Sequence, residues 1–190
     1  MNKPLFLFVG KSASGKTTIA NALVEKYGYT QVESYTTRPP RFHGEPGHTF
    51  VSEVEFNNLG KLAAYTYYNN YHYGTTFQQL ESSDIYVVDV PGVESLLESL
   101  KDDKRPINII YFHASIYNRI RRMIHRGDSD VAIISRLLQD EKNDWLKQLY
   151  SLVSKCTNEQ DKNIHLYTMD ADENLKDVLK ATLSYMQEED

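Results

Sequence analysis

The sequence predicts an α/β fold of three layers, with a mainly parallel sheet, a small inserted α+β unit and a helical lid. Three observations carry this expectation. Short apolar runs of strand length recur along the 190 residues and alternate with stretches of helical periodicity. The first of these runs passes through a glycine-bearing loop straight into a helix. Between residues 35 and 83 the pattern changes to prolines, glycines and alternating tyrosines, which sets a separate unit of about that extent inside a core formed by 1–34 and 84–190.

Leu5-Phe6-Leu7-Phe8-Val9 is continuously apolar, as a strand buried on both faces must be. Gly10-Lys11-Ser12-Ala13-Ser14-Gly15-Lys16-Thr17 then fits G-x-x-x-x-G-K-[ST], the Walker A pattern. From Thr18 to Tyr27, Ile19, Leu23 and Val24 fall at helical spacing, and Gly28 stands at the C-cap position. A strand before the loop and a helix after it is the setting of the P-loop NTPase fold. In such a loop the backbone from Gly10 through Ser12, Ala13, Ser14, Gly15 and Lys16 to Thr17 and Thr18 would cradle triphosphate oxygens at a helix N-terminus. Lys16 would reach the β- and γ-phosphates of ATP, and Thr17 would ligate Mg²⁺.

Gln31 to Tyr35 reads as a second strand. Thr36-Thr37-Arg38-Pro39-Pro40-Arg41 is extended, because each proline fixes its own φ and restricts the residue before it. With three residues per turn, Arg38 and Arg41 project to one side, either as an oxyanion clamp or as two solvated arginines in a turn. Gly44-Glu45-Pro46-Gly47 is a loop and Phe50-Val51 a short strand. Ser52 and Glu55 make a capping box for a helix ending near Gly60. Leu62 to Tyr73 reads as a β-ribbon, and Thr75 or Thr76 caps a helix through Leu80.

Ile85 to Val88 is a third buried strand, ending in Asp89 at the ligand edge of a parallel sheet, where a carboxylate helps hold Mg²⁺. Pro91-Gly92 is expected to break the chain before a helix from Val93 to Leu100. Ile107 to Phe112 is the next strand, and Ser115 opens a helix to about Arg126. On it Arg119, Arg122 and Arg126 share one face. After Gly127-Asp128-Ser129-Asp130, one long helix is expected from Val131 to Ser154, with Ile134, Leu137, Leu138, Trp145, Leu149 and Leu152 as its buried stripe. Arginines flanking a short polar loop, with Arg136 just beyond it, suit a lid over phosphates at about 119–138. His165 to Thr168 is the last strand, and Asp172 is expected to cap a helix to about Gln187.

Composition bounds the function. A net charge of −5 gives no reason to expect nucleic acid or a membrane surface as a partner. The lone cysteine, Cys156, excludes an internal disulfide and a CxxC metal site. The N-terminal apolar run is too short for a signal peptide, so a cytoplasmic location is expected. Nucleotide substrates and a monomer or homodimer complete these expectations.

Taken together, GKSASGKTT, SYTTRPPR, HTFVS, YHYGT, VDVPGV and RRMIHRG followed by SRL resemble the guanylate kinase family over nearly the whole chain. The resemblance implies ATP-dependent phosphorylation of a nucleoside monophosphate, GMP or dGMP first among them. It implies that Arg38, Arg41 and Tyr73 bind the acceptor phosphate, that Ser34 and Thr75 turn hydroxyls to the base, and that Arg122, Arg126 and Arg136 serve catalysis with Lys16. His48 stands where the family usually has a tyrosine touching that phosphate, and Asp89 joins the acceptor-binding set. The family also places a glutamate nine residues before the position of Tyr73, where it reads the guanine edge; here the residue is Ala64. Glu45, Glu53 or Asp89 would replace it, or the acceptor range is widened or shifted toward a pyrimidine or modified base.

Rival readings stay in view. Asp89-Val90-Pro91-Gly92 matches the D-x-x-G of a GTPase, but no N-K-x-D follows. A non-catalytic binding module would not need Lys16 and Thr17. A P-loop kinase acting on a non-nucleotide acceptor shares the same loop.

Overall fold

A computed structural model describes residues 3–142, 144–160 and 163–189. The element order is β1 (Leu5–Val9), α1 (Lys16–Tyr27), β2 (Ser34–Thr36), β3 (His48–Phe50), α2 (Glu53–Asn57), β4 (Leu62–Tyr68), β5 (Tyr71–Thr76) and α3 (Phe77–Glu81). Then follow β6 (Ile85–Val87), α4 (Val90–Ser99), β7 (Ile107–His113), α5 (Ile116–His125), α6 (Asp130–Asp140), α7 (Trp145–Gln160), β8 (Ile164–Asp170) and α8 (Leu175–Glu189).

The central sheet runs β6-β1-β7-β8, and every pairing in it is parallel. Successive residues of β1 serve opposite faces, as the period of two requires. Leu5, Leu7 and Val9 pack with Val93, Leu96 and Leu97 of α4 and Trp145 and Leu149 of α7. Phe6 and Phe8 pack with Ile19 and Leu23 of α1 and Val178, Leu179 and Met186 of α8. The three layers expected from the sequence are therefore helix, sheet, helix. Among the described residues no helix is long and apolar enough to cross a membrane.

A second sheet, β3-β2-β5-β4, is mixed: β2 pairs β3 in parallel and β5 in antiparallel. The strand expected at Gln31 to Tyr35 is divided between the two sheets. Gln31 bridges Ile85 at the edge of the central sheet, while Ser34–Thr36 belongs to the second. β4 and β5 form the tyrosine ribbon, closed by Asn69 and Asn70 at φ 50° and 66°, the left-handed pair that a two-residue hairpin turn needs. The capping box of Ser52 and Glu55 is present, and Thr76, with Gln79 at N3, forms another.

Three expectations fail for local reasons. Pro91-Gly92 does not break the chain: α4 already begins at Val90, because Asp89 caps it by accepting from the Gly92 N–H at 2.9 Å, and a proline in the first turn forfeits no helical hydrogen bond. The long helix after Ser129 is two helices. Asp144 starts α7 afresh, accepting from the Lys147 N–H at 3.1 Å. The helical phase resets there, so Ile134 and Leu138 are 57 % and 65 % exposed instead of core. Asp172 does not cap α8; it accepts from the Ser115 N–H and from Asn118 at the start of α5, and Asn174 accepts from the Asp177 N–H instead.

Candidate active site

The loop between β1 and α1 is shaped by two glycines. A Cβ at Gly10 would lie 2.5 Å from the Phe112 carbonyl oxygen. Gly15 has φ 103° and stands at the N-cap of α1, which has no side-chain cap. The first-turn N–H groups of α1 are thus left for an anion. Lys16 folds over the loop, its Nζ donating to the Lys11 carbonyl at 3.0 Å and to Ser14 Oγ at 3.3 Å, and also to the Gly10 carbonyl. Burial lowers its pKa to about 8, against support from the carboxylates of Asp140 and Asp89.

One cleft joins this loop to the second sheet. Gly10, Ser12, Ala13, Lys16 and Thr17 line one wall; Ser34, Arg41, His48, Thr66, Tyr68 and Tyr73 line the other. Asp89 lies at the C-terminal edge of β6 between them, and Arg126 and Arg136 close the side. The fold thus brings together most of the residues singled out from the sequence. Six do not line it: Ser14 and Gly15 belong to the loop without facing the cleft, Arg38 is tied to Glu45, and Thr18, Thr75 and Arg122 fall elsewhere. Thr75 is buried, and its hydroxyl donates to Gln79 Oε1 at 3.0 Å, off the cleft. Thr18 is exposed outside the cleft. Arg122 grips the outer side of the loop, donating to the carbonyls of Ala13 and Ser14 at 3.2 Å and to that of Ala171.

The two arginines of the Pro-Pro segment differ in role. Arg38 is 7 % exposed; it gives both Nη atoms to Glu45, at 3.2 and 2.8 Å, and lies over the Phe50 ring. Arg41 is 36 % exposed, shares the same carboxylate at 2.9 Å and lines the cleft. Glu45 also accepts from the Arg41 N–H at 2.7 Å, so one buried carboxylate organises the whole turn. Burial, and then the nearby Arg38 and Arg136, lower the Arg41 pKa to about 10. At the opposite side Arg126 pairs with Asp128, while Arg136 approaches Asp128 only at 3.7 Å and keeps a buried Nε without a hydrogen bond.

His48 shares a hydrogen bond of 2.9 Å with Ser34 and sits edge-on to Tyr73 with ring centroids 5.8 Å apart. Burial, reinforced by the charge of Arg38, drops its pKa to about 4, so the ring is neutral at neutral pH. Asp89 accepts from the Thr66 hydroxyl at 3.1 Å, and burial raises its pKa above the ordinary carboxylate value.

Ala64 is buried in the apolar core and does not line the cleft. Of the three acids named as its replacement, Glu45 is committed to arginines, and Glu53 is exposed and faces His72 at 3.4 Å. Only Asp89 lines the cleft.

Sequence reasoning missed Thr66, Tyr68 and Asp140, and it named Glu45 as a base reader where the structure makes it the partner of Arg38 and Arg41. Thr66 and Tyr68 had a usable signal, since the alternation of β4 puts Ala64, Thr66 and Tyr68 on one face. Asp140 had none, because its partners are distant in sequence.

No family model matches this chain, and no curated protein matches it in sequence. Among solved structures its fold is similar to the guanylate kinase of Anaplasma phagocytophilum, at TM-score 0.58 and 20 % identity over 99 % of this chain and 87 % of that one. It is also similar to a gluconokinase from Sinorhizobium meliloti 1021, at TM-score 0.50 and 16 % identity over 98 % and 93 %. Folds are shared across substrates at such identities. What these likenesses establish is that the chain has the α/β fold of the P-loop kinases, with a mainly parallel central sheet.

Proposed function

We propose that this protein transfers the γ-phosphoryl group of ATP to the phosphate of a nucleoside 5′-monophosphate. The observation that carries the reading is that one cleft has two cationic walls: the glycine loop with Lys16 on one side and Arg41 on the other, with Arg126 and Arg136 beside them. A triphosphate on the first wall and a monophosphate on the second would meet end to end. Catalysis then needs no covalent intermediate, only positioning and charge neutralisation. Lys16, Arg126 and Arg136 supply the neutralising charge, and Arg41 and Tyr73 hold the acceptor. Arg122 acts from behind by fixing the loop carbonyls.

The residues present fit Mg²⁺. Thr17 and Asp89 both line the cleft, and Mg²⁺ takes one or two protein oxygens while phosphate and water complete its shell. Among the described residues no group of three or more His, Cys, Asp or Glu would hold a metal by itself, which suits an ion that arrives with the nucleotide. When bound, it spreads the charge of the transferring phosphoryl group.

GMP and dGMP are the first acceptors to try, followed by pyrimidine and modified-base monophosphates, because the cleft lining holds one acid, Asp89, beside the hydroxyls of Ser34 and Thr66. The test is incubation with ATP, Mg²⁺ and a panel of nucleoside monophosphates, with gluconate as a phosphate-free control. Diphosphate formed from one or more nucleotides supports the reading. Transfer to gluconate alone, or to none, removes it.

A further inference from the structure

The most buried charge near the cleft belongs to a residue that the proposed reaction does not use. Asp140 is the last residue of α6 and is fully buried. Its carboxylate accepts three hydrogen bonds from three parts of the chain. Oδ2 accepts from the Ser12 N–H of the glycine loop at 2.8 Å and from Arg119 Nη2 of α5 at 2.6 Å. Oδ1 accepts from the Tyr68 hydroxyl at the tip of the β4–β5 hairpin at 3.0 Å. Arg119 in turn donates its Nε to the Ser12 carbonyl at 2.9 Å. Both peptide groups of Ser12 are therefore held by one buried ion pair.

Stability does not account for this arrangement. A carboxylate at a helix C-terminus opposes the helix dipole. Replacing a buried ion pair with packed apolar groups is often neutral or stabilising. What the arrangement supplies is a short rigid path from the loop to the hairpin: Ser12, Asp140, Tyr68. The hairpin tip meets α6 again where Ser135 Oγ donates to Asn69 Oδ1 at 3.4 Å.

We propose that Asp140 and Tyr68 are positioning residues that couple the glycine loop to the acceptor-binding hairpin, so that ATP entering the loop orders the second wall of the cleft. The coupling rests on the reading that ATP binds this loop. It gives the carboxylate a role in timing: the acceptor wall is set when the donor is in place, which guards against transfer to water.

Tyr68→Phe tests it, because only a hydroxyl is removed and the ring keeps its packing. Hydrogen exchange is followed with and without ATP and Mg²⁺, no acceptor present. In the wild type, exchange should slow at residues 10–18 and also at 62–76, by about fivefold in the hairpin, the lower end of ordinary coupling. In Tyr68→Phe the loop should keep its protection and the hairpin should lose it. Asp140→Asn should lose both in part. Loop protection without hairpin protection in the wild type overturns the coupling. So does hairpin protection that survives Tyr68→Phe. An absence of any loop protection by ATP is a different failure, since it removes the proposed function itself.

Discussion

Arg38 and Arg41 are equivalent by spacing and unequal by burial, and that asymmetry makes a strong prediction. Arg38→Ala leaves Glu45, whose side chain is 5 % exposed, with Arg41 as its sole charged partner. Breaking a buried pair by removing one member costs about 3–5 kcal/mol, and the surviving Arg41 bonds place this case near 3. For a domain of this size about 3 kcal/mol lowers Tm by about 6–12 °C. Arg41→Ala removes a half-exposed arm and should shift Tm by no more than about 3 °C, while raising acceptor KM by about 30- to 100-fold, the worth of a charge-assisted contact. Removing both charges as Arg38→Met with Glu45→Met should recover more than half of the lost stability, since no carboxylate is then left stranded. The pH dependence follows from the sign of the shift. Glu45 is held below its usual pKa by Arg38 and Arg41 despite its burial, so its contribution is complete above the ordinary carboxyl range and fades as pH falls through the lowered folded value. The gap in Tm between wild type and Arg38→Ala should therefore narrow in acid. Calorimetry at neutral and acid pH, with initial rates against acceptor, decides it. A stable Arg38→Ala protein with acceptor KM raised as far as in Arg41→Ala would refute the division of roles.

Three further outcomes are expected. Lys16→Ala should fold normally and lose about a hundredfold or more in rate; in the wild type kcat/KM should decline as pH rises through about 8, where Lys16 of the free protein gives up its proton, and a pH profile flat from 7 to 9.5 would contradict this. His48 has a folded pKa near 4, so between about 6.5 and 4 the unfolded chain binds a proton that the fold refuses, and stability falls with pH. His48→Gln should flatten that part of the curve in urea titrations. Ala64→Glu should destabilise the fold instead of sharpening selectivity, because position 64 lies in the apolar core off the cleft and a carboxylate there is taken out of water; an unchanged Tm together with a raised preference for GMP over AMP, dTMP and dUMP in kcat/KM would contradict this placement.

The central sheet and the glycine loop were legible because their causes are local. Continuous apolar runs, glycines at tight approaches and a helix C-cap each act within a few residues. The same is true of the Ser52 capping box. Local cues misled where two readings compete, as at Pro91, which suits a break or a first helical turn, and which the Asp89 side chain decides. They also misled from Val131 onward, where apolar spacing ran on through the restart at Asp144. The clamp was half legible. Proline geometry placed both arginines, but Glu45 in a Gly-Glu-Pro-Gly loop was read as an acid for the base, and only its burial beside Arg38 and Arg41 shows it as their organiser. Asp140 was beyond reach, because its meaning lies in Ser12 and Tyr68, 128 and 72 residues away.

The central claim is that the transferred group joins a phosphate held by Arg41. Phosphorus NMR of a reaction holding the protein, ATP, Mg²⁺ and the best acceptor from the nucleotide panel tests it most directly. The account predicts that, as ATP becomes ADP, the acceptor's single phosphate signal is replaced by the coupled pair of a nucleoside diphosphate, and that Arg41→Ala slows this replacement at low acceptor concentration. A new uncoupled phosphate monoester, or inorganic phosphate as the sole product, would contradict it.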